Sequence, residues 1–155
     1  MYEPPPLRSA LVARLHVRLG PVQEIGTLAS GRRRVVPVLG GSVSGPRLSG
    51  EVLAGGADWQ IVAADGSATI EARYTMRASD GSLILAHSRG MRNGPSAVLA
   101  RLAAGEPVDP RDYYFRTVVT LETGAPPHSW VNHRLFIAVA AREPEAVVID
   151  LHELA

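Results

Sequence analysis

Asp58 is the residue in this chain best placed to move a proton. It stands between Gly55-Gly56-Ala57 and Trp59, where a turn passes into a strand. A carboxyl beside a large apolar side chain loses solvation, so its pKa rises and it can act as a general acid or base. The plainer reading of the same spacing is a turn cap, with the carboxylate accepting backbone N–H groups. Glu71 and Arg73 lie two apart in the run from Ala68 to Met76, so a strand puts both on one face. Arg116, between Phe115 and Thr117, offers a planar fork for a carboxylate, enolate or phenolate oxygen. Its alternative is a structural ion pair with Glu71 or Asp58. The catalytic candidates are therefore Asp58, Glu71, Arg73 and Arg116.

Candidate substrate contacts are Trp59, Tyr74, Tyr114, Trp130 and Asn132. Trp130 could stack on a flat ligand while the Asn132 amide fixes its orientation; the competing reading is a core tryptophan closing one barrel end. The tyrosines could donate protons or be packed strand aromatics. The decisive ambiguity is which face of the 68–78 strand points inward. In one reading Ile70, Ala72, Tyr74 and Met76 face a core and Glu71 and Arg73 are solvated. In the other the charged face lines a polar cavity, where the pair would need mutual hydrogen bonds to offset desolvation.

Composition removes several chemistries. All 16 basic residues are arginine, for which a coding bias is the plain reading, and without lysine no Schiff base can form. Cysteine is also absent, which excludes thiolate nucleophiles, disulfides and cysteine-ligated metals. His128 and His133 are five apart and His16 and His87 are isolated, so no metal is expected and no cofactor is assigned. No Gly-x-Ser-x-Gly elbow or nucleotide-binding glycine loop occurs. Arg32-Arg33-Arg34 is the one basic cluster in a chain of net charge +1, which reads as a solvated strand start and not as a nucleic-acid surface. Pro4-Pro5-Pro6 replaces a signal core and no apolar run nears ~18–20 residues, so a soluble cytoplasmic protein with no membrane contact is expected.

The elements that must carry these residues are strands. Leu11, Ala13, Leu15, Val17 and Leu19 alternate with Val12, Arg14, His16 and Arg18. Residues 33–39 form a second strand, with Pro37 at an edge or bulge, followed by a glycine-rich connection at 40–46. A short strand is expected near 48–53. Asp65-Gly66 and Asp80-Gly81 are hairpin turns joining three consecutive antiparallel strands, 59–64, 68–78 and 82–90. Residues 95–104 favour helix and Gly105 ends it; at that length it is a lid or plug. Strands follow at 113–122, 135–142 and 146–154. The expectation is an all-β protein of about eight to ten antiparallel strands with one short helix, closed as a barrel or strongly curved sandwich. Residues 1–9 form a flexible segment and 10–155 a single domain, of a size that buries roughly 70% of its extended surface.

Gly40-Gly-Ser-Val-Ser-Gly-Pro46, Gly55-Gly-Ala-Asp-Trp59, Glu71-Ala-Arg-Tyr74, Asp80-Gly81, Tyr113-Tyr-Phe-Arg-Thr117 and Trp130-Val-Asn132 together resemble the family called "domain of unknown function 3237", also termed uncharacterised protein family 0311. The resemblance spans roughly residues 10–142. It implies a lipocalin-like β-barrel with a central cavity. Some members resemble enzymes acting on polyketide-like intermediates, including ring-closing addition of a hydroxyl to an alkene. Val131 is smaller than the residue expected before the asparagine, and His133 stands where arginine or lysine is expected; either change alters the pocket mouth.

The expected function is cofactor-free proton-transfer chemistry of the cyclase or isomerase type on an aromatic or polyketide-like small molecule. Asp58 or Glu71 moves the proton, and Arg73 and Arg116 stabilise negative charge. The alternatives are a barrel that carries or senses a small ligand without chemistry, and an assembly subunit with a filled lumen. A homodimer is expected, with the apolar 146–151 strand pairing across a two-fold.

Overall fold

The computed structural model describes residues 1–155. Period-two alternation folds the chain into ten strands and one α-helix. The strands are β1 (Ser9–Leu19), β2 (Gln23–Leu28), β3 (Gly31–Ser44), β4 (Gly50–Val52), β5 (Ala57–Val62), β6 (Ala68–Ala78), β7 (Leu83–Asn93), β8 (Tyr114–Glu122), β9 (Phe136–Arg142) and β10 (Ala146–Leu154), with helix α1 (Ser96–Ala103) between β7 and β8. From β6 through β7, β8, β9 and β10 to β1, each strand pairs antiparallel with the next. The ring closes through β3, which pairs with β1 on one edge and with β4 and β5 on the other, both of which return to β6. β4 and β5 share one wall position, split at residues 53–56, and β1 and β2 run in succession along the same edge of β3. The result is a closed antiparallel β-barrel of eight wall positions.

The two Asp-Gly hairpins form as expected, with Gly66 at φ 88° and Gly81 at φ 89°. Each aspartate accepts the backbone N–H two residues on, Asp65 from Ser67 and Asp80 from Ser82, both at 2.9 Å. Three features differ from the sequence expectation. Residues 40–44 are not a connection but the second half of β3. Their glycines permit a close crossing of β1: a Cβ at Gly41 would lie 2.1 Å from the His16 carbonyl oxygen, and one at Gly45 2.3 Å from the Ala13 Cα. β2 was not foreseen; its residues are nearly all exposed, so no alternation marks it. β10 is bonded on both edges, to β1 and β9, so it has no free edge to pair with a second copy. Pro37 sits beside a register shift between β1 and β3, as a strand proline requires.

The barrel is filled at one end. Leu15, Val43, Met76, Ile84, Leu121, Phe136 and Leu151 form the main core with Val131, which is delivered by a 3₁₀ segment, Pro126–His133, that plugs this end. At the opposite end a smaller cluster of Ala68, Ile70, Tyr113, Phe115 and Ala140 leaves the lumen less filled. α1 lies over that end, with Leu99 buried. No helix is long and apolar enough to cross a membrane.

Candidate active site in the barrel mouth

β6 turns its apolar face inward. Ile70, Ala72 and Tyr74 line a chamber of about 60 Å³ in the lumen, with Val17, Val38, Phe115 and Ile149 on the facing walls. Asp58 enters the same chamber from β5. Its side chain is held at both oxygens: Gln60 Nε2 donates to Oδ2 at 2.7 Å, and the Glu71 backbone N–H donates to Oδ1 at 3.0 Å. The second bond stands in for the strand ladder. β5 and β6 pair at Asp58–Ala72 and again at Ile61–Thr69 but not between, and the carboxylate takes the N–H left free there. The cap expected at Asp58 thus exists, made to a strand and not to a turn.

Burial raises the Asp58 pKa above the ordinary carboxylate value. The bonds from Gln60 and Glu71 and the charges of Arg92 and Arg34 oppose that rise without cancelling it. Gln60 suits both protonation states. Its Oε1 is buried without a partner, so turning the amide over would let that oxygen accept a proton carried by Asp58. Tyr74, the other sequence candidate in the chamber, has its hydroxyl pushed up to about 12 by burial alone. It can donate a hydrogen bond at neutral pH and cannot serve as a base. Ser88 Oγ and Thr117 Oγ1, also at the chamber wall, bond to each other at 2.6 Å.

Above Asp58 the lumen opens into a mouth of about 450 Å³. Its walls are Val62 and the Leu99 and Leu102 side of α1, its floor carries Arg34, Arg92 and Arg142, and Arg32 and Asp65 also line it. Each is an inward position near the mouth end of its strand: Arg34 below Val36 on β3, Arg92 beyond Ser88 and Gly90 on β7, and Arg142 beyond Ala138 and Ala140 on β9. Arg142 is tied by Nη1 to the carbonyls of Glu143 and Ala146 at 2.7 and 3.0 Å. Arg34 Nε and Arg92 Nε have no partner at all. Burial leads the lowering of the pKa of all three; the charges of Arg142 and Arg34 add to it at Arg92, that of Arg34 at Arg142, and that of Arg32 at Arg34. Arg92 is brought down to about 10. Sequence reasoning missed these residues because it took Arg32-Arg33-Arg34 as a solvated cluster. The signal was present in the inward phase of three strands, each carrying an arginine near one end.

The remaining candidates lie elsewhere. Glu71, Arg73 and Trp59 come together, but in a groove on the outer wall with Arg33, Ile61 and Thr69. There Glu71 accepts a bond from His87 Nε2 at 3.0 Å and lies 3.4 Å from Arg89 and 3.8 Å from Arg73. The His87 bond leads the effects that hold its carboxyl below the ordinary value, so it stays ionised and is a poor proton donor. Arg116 also faces outward. It donates to the Phe115 carbonyl at 2.9 Å and sits 5.3 Å over Tyr114, pairing with neither Glu71 nor Asp58. Trp130 packs in the closed end, 5.9 Å from Phe136 with Arg47 stacked 3.9 Å above it. Asn132 spends both amide atoms on the backbone of Thr123, at 2.9 and 2.8 Å, which pins the plug. No three His, Asp or Glu side chains gather as a metal site would need.

A family model described as a protein of unknown function (DUF3237) matches residues 7–154. A protein of Rhodopseudomonas palustris strain TIE-1, named a UPF0311 protein, is 41% identical over 150 residues, which is 97% of this chain and 98% of that one. The crystal structure of a conserved protein of unknown function from Rhodopseudomonas palustris superposes with a TM-score of 0.91 at 40% identity, covering 99% of this chain and 100% of its own. A chain from Penicillium herquei described as an enzyme superposes with a TM-score of 0.70 at 17% identity, over 97% of this chain and 98% of that one, a likeness of fold alone.

Proposed function

This chain belongs to the DUF3237 family, whose description carries no activity, and from the geometry of its lumen we propose a small-molecule enzyme that shifts a proton within one substrate, by isomerisation or ring closure, without a cofactor. The observation that carries the reading is Asp58: a partly buried carboxyl with a raised pKa, fixed by two donors, set between a lumen chamber and an arginine-floored mouth. The enzyme description of the distant Penicillium herquei neighbour is compatible with it.

As a carboxylate, Asp58 takes a proton from a carbon beside a carbonyl. The electron pair moves onto the carbonyl oxygen, where Arg92 and Arg34 hold the negative charge. The protonated Asp58 then returns the proton at a second carbon, which completes an isomerisation with no oxidant consumed. For ring closure Asp58 takes the proton of a substrate hydroxyl, the oxygen adds to a conjugated alkene, and the same proton goes to the carbon that receives the charge. Gln60 follows Asp58 through both states. The 450 Å³ mouth has the size of an ordinary ligand site and suits the flat aromatic or polyketide-like body. The inner chamber, at about 60 Å³, takes only a short substituent.

The test needs no knowledge of the natural substrate. A panel of β-dicarbonyl carbon acids in D₂O is followed by proton NMR for exchange at carbon. The wild-type protein should accelerate exchange of at least one member, and Asp58→Asn should lower that rate by ~10²–10⁴-fold while retaining its fold by circular dichroism. Exchange that is equal in wild type and Asp58→Asn would remove the proton-transfer role and leave a ligand carrier.

A further inference from the structure

The mouth holds more positive charge than the proton-transfer reading uses. Arg92 is 9% exposed, forms no ion pair or hydrogen bond with the protein, and has a buried Nε with nothing to bond. Arg34, facing it across the lumen, has the same orphaned Nε. A buried charge without a partner is strongly unfavourable, and three guanidiniums meeting at one opening add mutual repulsion. Asp58 is the one lumen carboxylate whose charge acts on all three, and its own burial favours the neutral form. When it is protonated, as during turnover, Arg34, Arg92 and Arg142 lose that charge, and the other carboxylate lining the mouth, Asp65, bonds to Ser67 and forms no ion pair with any of them. A single developing enolate does not balance that.

We propose that the substrate is an organic carboxylate, bound with its carboxylate between Arg34 and Arg92 at the mouth floor and its flat apolar body against Val62, Leu99 and Leu102. Arg142, anchored by the β9–β10 carbonyls, backs the pair with a third charge. The planar fork of arginine bonds both oxygens of a carboxylate at once, and the free Nε groups are donors suited to that geometry. An apolar wall beside these donors selects an organic acid over an inorganic anion, whose remaining oxygens would meet Leu99 and Leu102 unsolvated. The carboxylate enters close to Asp58, so binding and protonation of Asp58 favour each other. The proposal rests on the proton-transfer reading for the word substrate; the binding it asserts does not.

The experiment is calorimetric titration and thermal shift of the full chain at pH 7 with sodium benzoate, benzamide and sodium sulfate, each to 50 mM. Benzoate should bind saturably and raise the melting temperature. Benzamide, the same shape without the charge, and sulfate, the charge without the ring, should each bind at least tenfold more weakly. Arg92→Gln and Arg34→Gln should each weaken benzoate at least tenfold, while Arg89→Gln on the outer wall leaves it unchanged. Asp58→Asn should bind benzoate at least as tightly as wild type, since it removes the competing charge. That variant separates the two claims: benzoate bound by wild type and Asp58→Asn alike, with no proton exchange by either, retains the carboxylate site and discards the chemistry. Asp58-dependent exchange without benzoate binding does the reverse. Absence of saturable benzoate binding, equal binding of benzamide or sulfate, or wild-type affinity in folded Arg92→Gln and Arg34→Gln overturns the proposal.

Discussion

Replacing Arg92 with methionine should make the ligand-free protein more stable. In the folded chain the Arg92 guanidinium is buried and meets the like charges of Arg142 and Arg34, and its pKa falls from 12.5 to about 10. At ~1.36 kcal/mol per pH unit, that displacement costs the fold on the order of 3 kcal/mol at neutral pH. The folded state gives up this proton more readily than the unfolded chain does. The cost is therefore present in full at pH values below about 10 and fades as pH rises through that value. Methionine keeps the unbranched stem and its packing beside Phe115, over which the Arg92 Cζ lies 5.6 Å from the ring centroid. It forfeits a cation–π contact of ~0.5–1 kcal/mol; the attraction to Asp58 is already contained in the displaced pKa. The net expectation is a gain of about 2 kcal/mol, which for a chain of this size raises Tm by roughly 4–8 °C. The assay is a thermal melt by calorimetry and circular dichroism at pH 7 in low chloride, with the difference between variant and wild type constant up to about pH 10 and shrinking as pH is raised through it. A Tm for Arg92→Met that falls by 2 °C or more would refute the reasoning, because Arg92 would then be a net structural contact and not an unbalanced charge.

Asp58 predicts a pH dependence of the same kind from the other sign of charge. Its folded pKa lies above the unfolded value, so the fold binds the proton more tightly; its contribution is greatest in acid and declines as pH rises through the ordinary carboxylate value toward the raised one. Asp58→Asn should abolish that decline and be more stable than wild type at pH 7, read from urea midpoints at pH 4 and pH 7; an unchanged pH profile would count against the buried ionisation. At the closed end, Phe136 is 0% exposed, and Phe136→Ala should cost ~3–5 kcal/mol in chemical denaturation, with a loss below 1 kcal/mol showing that the plug is loosely packed.

Much of the barrel was legible because its signals are local. Asp65-Gly66 and Asp80-Gly81 fix two hairpins through φ values that aspartate and glycine tolerate, and the alternation of β6 and β8 fixes their strands. Helix α1 follows from Ser96-Ala-Val-Leu-Ala-Arg-Leu-Ala103, bounded by Pro95 and Gly105. Residues 40–44 and β2 were not legible, because each becomes a strand only through a neighbour: the glycines by letting β1 approach within van der Waals distance, β2 by lying on the edge of β3. Of the candidate site, Asp58 and Tyr74 reach the lumen, while Glu71, Arg73, Arg116, Trp59 and Tyr114 occupy the outer wall. Phase explains the division. A strand face charged at Glu71 and Arg73 and apolar at Ile70, Tyr74 and Met76 admits either orientation, and only closure against β5 and β7 selects one. The arginine floor was less visible still, since Arg34, Arg92 and Arg142 are 50 or more residues apart in the chain and share an end only once the ring is formed.

A chain whose every basic residue is arginine invites the view that three more in the mouth are an accident of composition. The surface answers it. Arg14 sits 2.7 Å from Asp150, Arg77 2.9 Å from Glu51, Arg101 3.0 Å from Glu106 and Arg134 3.0 Å from Glu153, and even Arg32, one strand position outside Arg34's level in the lumen, reaches Glu24 at 3.6 Å. On the surface, where solvent softens an unpaired charge at little cost, these arginines have a carboxylate, and those without one, Arg8, Arg18, Arg33 and Arg116, stay in contact with solvent. Where burial makes an unpaired charge most unfavourable, at Arg34 and Arg92, the chain supplies no carboxylate bond and leaves a buried Nε without a partner. Tolerance at the surface accounts for the first set and not for the second. The closed end, packed around Phe136 and plugged by Val131, can bear that cost because the long strands β1, β3 and β6 through β10 are each paired on both edges. Stability is gathered at one end of the lumen and spent at the other, where an incoming negative charge would restore the balance.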